Sequence, residues 1–164
     1  MKQGLGTQLR HLIDLLDGDV AQQYKDAGLD YRPRYTPVMR TLKLLGTATI
    51  GQIAESAGIT QPAATQTVSL MKKDGLVTVE PGADGRQRRV GLSAHGKALL
   101  PELESCWAAT TAAADALDAQ LVYPLSQCLG EAIAALEAEP FLARIQKARA
   151  HQDSPPSKPK EKKK

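Results

Sequence analysis

Three arginines crowd the stretch GADGRQRRV, residues 82–90, at Arg86, Arg88 and Arg89. A guanidinium stays protonated and offers N–H donors in a planar fork, a geometry suited to phosphates and to the acceptor edges of bases. Asp84 and Gly85 form an Asp-Gly turn, so Arg86 comes just past a loop tip, where a long side chain can enter a narrow, electronegative groove. Turn formation alone also accounts for Asp84. In an extended strand neighbouring side chains point opposite ways, so Arg88 and Arg89 cannot both face one polyanion. Arg88 is therefore assigned to phosphate, and Arg89 is left a partly structural role.

A second group lies just upstream, in QPAATQTVSLMKK, residues 61–73. Wound as a helix, it turns Ala64, Val68 and Met71 inward and leaves Gln61, Ala63, Thr65, Gln66 and Ser69 outward, with Lys72 and Lys73 at its end. Glutamine pairs bidentately with adenine, and alanine or threonine methyls pack on the thymine methyl, which suggests an A·T-leaning site. A merely solvated helix face would show the same residue types.

Charge is distributed to match. Residues 32–97 hold ten basic and four acidic side chains, while residues 1–31 hold three against five and residues 98–150 three against seven. The excess of the whole chain, +3, resides in the lysine-rich segment from His151 onward. A basic centre between acidic flanks points to a polyanion partner.

Other chemistries find little support. His11, His95 and His151 lie in separate segments, no nucleophile–base pairing or glycine-rich phosphate loop is visible, and Cys106 and Cys128 lack metal-ligand spacing. Both cysteines are read as buried thiols. No enzyme activity, cofactor or metal is expected. No stretch approaches the roughly 18 apolar residues of a membrane span, and Arg10, His11 and Asp14 stand where a signal peptide would be apolar; a cytoplasmic protein is expected.

The elements that must position these groups follow from periodicity. Leu5, Leu9, Leu12, Ile13, Leu16 and Val20 make one apolar stripe of a helix over 5–24. After the breaker GLDYRPRYTP, Thr36-Pro37 starts a second helix that buries Val38, Met39, Leu42 and Leu45 and stops at Gly46. Thr49 and Gln52 form a capping box for a short helix ending at Ala57; Gly58 turns the chain, and Thr60 caps the helix of residues 61–73, making a helix-turn-helix. LVTVE and RRVGL read as a hairpin. Ser93 caps a long helix to about Val122, kinked or restarted at Pro101, and further helices follow from Pro124 and from Phe141. From His151 the composition is that of a disordered tail.

This order of helix, helix, helix-turn-helix, hairpin, long helix and helix resembles the MarR family of bacterial winged-helix transcription regulators. DGRQRRVGLSAHG resembles that family's wing signature of Asp-x-Arg, a strand, then Leu-Ser/Thr-x-x-Gly opening the next helix. TIGQIAESAGITQPAATQTVSLMKKDGLV is similar to its helix-turn-helix, and the likeness extends from residue 3 to about 150.

The resemblance implies a mainly α fold with a small β-hairpin wing: a winged helix-turn-helix DNA-binding domain, residues 32–93, between the helices of an α-helical dimerisation domain, residues 1–31 and 94–150, followed by a basic tail. It places residues 61–73 in the major groove as recognition helix, Arg86 in the minor groove and Asp84 as its orienter. It further implies a homodimer on a palindromic operator, acting as a ligand-responsive repressor, with double-stranded DNA as partner. The family often has a basic residue near Gln66; here none precedes Lys72, so base readout leans on amides and hydroxyls. Small effectors of the family bind beside the winged domain, where Tyr31, Tyr35, Met39 and Trp107 could line a pocket, although core packing explains each of them too. The rival to this reading is a winged-helix module that docks proteins without specific DNA binding.

Overall fold

A computed structural model describes residues 4–82 and 88–152. The chain divides into two compact units, residues 1–111 and 112–164.

The first unit opens with α1 (Leu5–Asp26), of which only Tyr24 is buried. Its predicted stripe is present but uncovered: Leu5, Leu9, Ile13 and Leu16 are all exposed. A single 3-10 turn, Pro33–Tyr35, leads into α2 (Thr36–Leu45), with Pro37 in the first turn, where a missing N–H leaves no bond unmade. Val38, Met39 and Leu42 are buried as expected, but Leu45 is exposed, displaced to the outer face in the last turn before Gly46.

The capping box forms in full. Thr49 Oγ1 accepts from Gln52 N–H, and Gln52 Oε1 accepts from Thr49 N–H, opening α3 (Ile50–Ala57). Thr60 Oγ1 accepts from Ala63 N–H and opens α4 (Gln61–Lys73). Both helices close in the same way. Gly58 and Gly75 take the positive φ that side chains resist, and the next residue, Ile59 or Leu76, donates its N–H back into the helix, to Ala54 or Met71 respectively. Leu76 thereby enters the core, where it is fully buried.

The hairpin is β2 (Val77–Pro81) with β3 (Arg88–Leu92), in a register that sets Glu80 opposite Arg89. Sequence periodicity does not reveal a third strand, β1 (Thr47–Ala48), which pairs antiparallel with β3 and makes the sheet order β1-β3-β2. Two residues carry no alternation to detect. Then α5 (Ala94–Gln120) begins, with Ser93 Oγ accepting from Gly96 N–H as predicted; it continues through Pro101 as one helix and does not restart there. One apolar core joins Tyr24, Tyr35, Val38, Met39, Leu42, Ile53, Met71, Leu76, Val90 and Leu103.

In the second unit α6 (Leu125–Ala138) and α7 (Phe141–Gln152) follow. Pro124 has no capping side chain, so Asp118 supplies one: its Oδ1 accepts from Leu125 N–H at 2.8 Å and from Ser126 N–H at 3.3 Å. Arg144 Nη2 donates to Ala135 O at 2.8 Å and ties α7 to the end of α6. No residue of α6 is buried, and Leu129, Ile133, Leu136, Phe141, Leu142 and Ile145 are exposed. Cys106 is buried and Cys128 is exposed, which corrects the expectation of two buried thiols: Cys128 lies on α6, none of whose residues is buried among the described residues. Helix α7 also runs through Gln152 and so takes in the first two residues of the predicted tail. Among the described residues no helix is long and apolar enough to cross a membrane.

Candidate nucleic-acid interface

Helix α4 is amphipathic because its inner face, Ala64, Thr67, Val68 and Met71, fills the core. Thr67 is the inward residue that a hydrophobicity pattern passes over. Outward stand Gln61, Thr65, Gln66, Ser69, Lys72 and Lys73, all exposed, and half-buried Ala63. Gln61, Pro62, Ala63, Thr65 and Gln66 line one open depression at the start of the helix. These five residues of one surface can be touched together by a single partner.

The polar groups there are already oriented. Thr65 Oγ1 donates to Gln61 O at 2.9 Å and Ser69 Oγ donates to Thr65 O at 2.8 Å, so both hydroxyl protons are committed to the helix backbone. Their oxygens keep lone pairs for an incoming donor. Arg34, from the 3-10 turn, donates through Nη2 to Gln66 Oε1 at 3.1 Å. Sequence reasoning treats Arg32, Arg34 and Arg40 as possible phosphate contacts or solvated surface, and the contact between Arg34 and Gln66 has no signal in a pattern, since the two stand 32 residues apart.

The same turn anchors the far end of α4. Tyr35 OH donates to Asp74 Oδ2 at 2.7 Å, and Arg32 Nε lies 3.7 Å from the same oxygen. Burial, helped by the carboxylate beside it, pushes the Tyr35 phenol up to about 12. Asp74, legible in the sequence only as half of a helix stop, is thus the group that fastens the helix to its support.

On the hairpin, Arg88 and Arg89 are both exposed at the surface. Arg89 is engaged across the sheet: its Nε donates to Thr47 Oγ1 at 3.1 Å, and its Nη2 donates to Thr47 O at 2.9 Å and to Thr47 Oγ1 at 3.0 Å. The neighbouring Arg88 belongs to the opposite face by strand alternation. Asp84 and Arg86 lie outside the described residues.

At the base of the wing the backbone is drawn tight. Ser93 Oγ donates to Gly75 O at 2.6 Å, Ser93 N–H donates to Leu76 O at 3.0 Å, and a Cβ on Gly96 would come within 2.2 Å of that same Leu76 oxygen. Only glycine permits this approach. The Leu-Ser-x-x-Gly stretch is therefore a seam between the end of α4 and the start of α5.

Tyr31, Tyr35, Met39 and Trp107, the residues suggested for a small-molecule pocket, are all buried. Tyr31 packs edge-on against Tyr24, with centroids 4.9 Å apart, and against Tyr35 at 5.8 Å. Trp107 Nε1 donates to Tyr24 OH at 3.2 Å, and Arg40 covers the Trp107 ring at 4.9 Å. Tyr31 OH is buried with no hydrogen-bond partner among the described residues, and burial pushes its phenol well above the ordinary tyrosine range. Among the described residues no three His, Cys, Asp or Glu side chains group to hold a metal.

Residues 29–87 match the family model described as the MarR family. Of curated protein sequences none matches the chain. The fold is similar to that of the M. tuberculosis transcriptional regulator MOSR, solved in complex with DNA, at 22% identity and TM-score 0.66 over 83% of this chain and 98% of that one. It is also similar to BpsR of Bordetella bronchiseptica, described by the regulation of its DNA binding by 6-hydroxynicotinic acid, at 19% identity and TM-score 0.56 over 68% of this chain and 79% of that one. The organohalide-sensing regulator RdhR in its 2,4-dichlorophenol-bound form is similar at 15% identity and TM-score 0.64, over 83% and 79%. At these identities the likeness is one of fold.

Proposed function

We propose that this chain, whose residues 29–87 match the MarR family model, is a homodimeric, sequence-specific DNA-binding transcription regulator of the cytoplasm, without catalytic activity, that represses by occupying a palindromic operator. The observation that carries the reading is the outer face of α4, where Gln61, Thr65, Gln66 and Ser69 stand exposed in a row that ends on Lys72 and Lys73. In this reading α4 enters the major groove, Arg88 meets phosphate, and Arg86, oriented by Asp84, reaches the minor groove.

Dimerisation is supported by the apolar side chains that α1, α6 and α7 leave uncovered, since a helix face of leucine and isoleucine gains from burial against a partner. In a twofold dimer the two recognition helices would meet half-sites about one helical turn apart. Small-molecule control is supported by two features: solved proteins of this fold are described with aromatic ligands, and Tyr31 belongs to a buried aromatic cluster next to the turn that supports α4.

Selection of bound fragments from genomic DNA, followed by a salt titration on the enriched site, tests the reading. A twofold-symmetric site is expected, with affinity falling steeply as salt rises because counterions are released from the phosphates. Binding that is weak, unselective and indifferent to salt would leave this fold as a protein-docking module instead.

A further inference from the structure

The geometry points to Arg34 as a specificity-determining residue: by holding the Gln66 carbonyl, it makes the centre of the recognition helix a donor surface that reads guanine rather than adenine. This inference rests on the DNA-binding reading above and adds to it the base class read at one position.

A guanidinium has only N–H donors, so the Gln66 atom it holds at 3.1 Å is necessarily the carbonyl oxygen, Oε1. That contact sets the amide's orientation and turns Nε2, with its two hydrogens, to the other side. Bidentate pairing of glutamine with adenine needs both ends of the amide, the oxygen accepting from N6 and the nitrogen donating to N7. Here the oxygen is shared with a cation, and the adenine amino group would have to approach the guanidinium's own hydrogens. Guanine presents two adjacent acceptors, O6 and N7, in the major groove. The paired donors of Gln66 Nε2 and Arg34 match that edge, and they do so without a basic residue on α4 itself before Lys72.

Arg34 is well placed for this work. It belongs to the turn Pro33–Tyr35, whose first residue has its φ restrained by the proline ring and whose last residue is buried and bonded to Asp74. The base of its side chain is thereby fixed on the framework that supports α4. Arg34 and Gln66 are both exposed, and Gln66 lines the open depression at the start of the helix, so the pair is accessible to a duplex. The A·T preference suggested by residue types alone is, at Gln66, reversed by a neighbour that the linear pattern does not show.

The test is in-vitro selection from random duplexes with the wild-type chain, Arg34→Ala, Gln66→Ala and the double variant, each first checked for native circular dichroism and melting. Wild type should enrich sites with a guanine at one position of each half-site, and replacing that base by 7-deazaguanine should weaken binding on the order of tenfold. Arg34→Ala should lose the guanine or exchange it for adenine at that position alone, and in the Gln66→Ala background it should change that position no further. If Arg34→Ala lowers affinity evenly over all sequences and leaves the enriched motif intact, Arg34 is a phosphate contact and the inference fails while the regulator stands. If wild type enriches no motif, the DNA-binding reading fails and takes the inference with it.

Discussion

Arg89 and Thr47, 42 residues apart, are joined by three hydrogen bonds that lash β3 to the two-residue strand β1. Arg88, adjacent in sequence, is on the alternate face of the strand. The two arginines should therefore separate cleanly. Arg89→Ala should lower the melting temperature, with a loss of about 1 kcal/mol given that the pair is exposed. Arg88→Ala should leave melting unchanged and flatten the dependence of log affinity on log salt by about one unit. Thermal denaturation and salt titration of the two variants check this, and equal losses of stability would contradict it.

Gly96 faces the Leu76 carbonyl so closely that a methyl group cannot be placed there without moving backbone. Alanine is the better helix former by about 1 kcal/mol, but overpacking against a main-chain oxygen outweighs that gain. Gly96→Ala should destabilise the fold by about 2 kcal/mol or more by chemical denaturation. An unchanged midpoint would show that α5 is not seated on Leu76.

Tyr35 ties the stability of the support to alkaline pH. Burial raises its folded-state ionisation from the ordinary tyrosine value of 10.0 to about 12, so the unfolded chain ionises first. The stabilisation is complete below pH 10 and is lost as pH rises toward 12. Tyr31, raised for the same reason, acts in the same direction. Tyr35→Phe should lose about 1–2 kcal/mol at neutral pH, because the Asp74 carboxylate loses a donor, and its melting temperature should fall less steeply than that of wild type between pH 10 and 12. Melting curves across that range decide the matter; parallel slopes for the two proteins would refute it.

Ile13 and Leu9 stand on the exposed apolar stripe of α1. If that stripe belongs to the proposed homodimer, a glutamate at position 13 places a charge in the contact. Ile13→Glu should convert the dimer to a monomer in light scattering behind a sizing column while leaving helical circular dichroism nearly intact. Persistence of the wild-type mass would remove α1 from the interface.

Most of the fold could be read from the sequence because its signals are local. Thr49 with Gln52, Thr60 with Ala63 and Ser93 with Gly96 each fall within one turn of helix, and the inward faces of α2, α3 and α4 repeat at helical spacing. What escaped depends on distance along the chain. Asp74 acquires its role from Tyr35, Gln66 its orientation from Arg34, and β1 its existence from pairing with β3. The continuity of α5 through Pro101 is likewise not decided by propensity, since Leu103 and Trp107 beyond the proline are held in the core. The exposed face of α4 was legible as a set of residue types, whereas the direction in which each hydrogen points was not.

Helix α6 contributes no buried residue to the chain as it stands alone. If the proposed homodimer is what shelters its leucines and isoleucine, mass action requires the melting point to rise with the amount of protein in the tube. Dilution would then act on two properties at once, since in that proposal a solution thin enough to part the copies also halves the number of grooves each particle can grip.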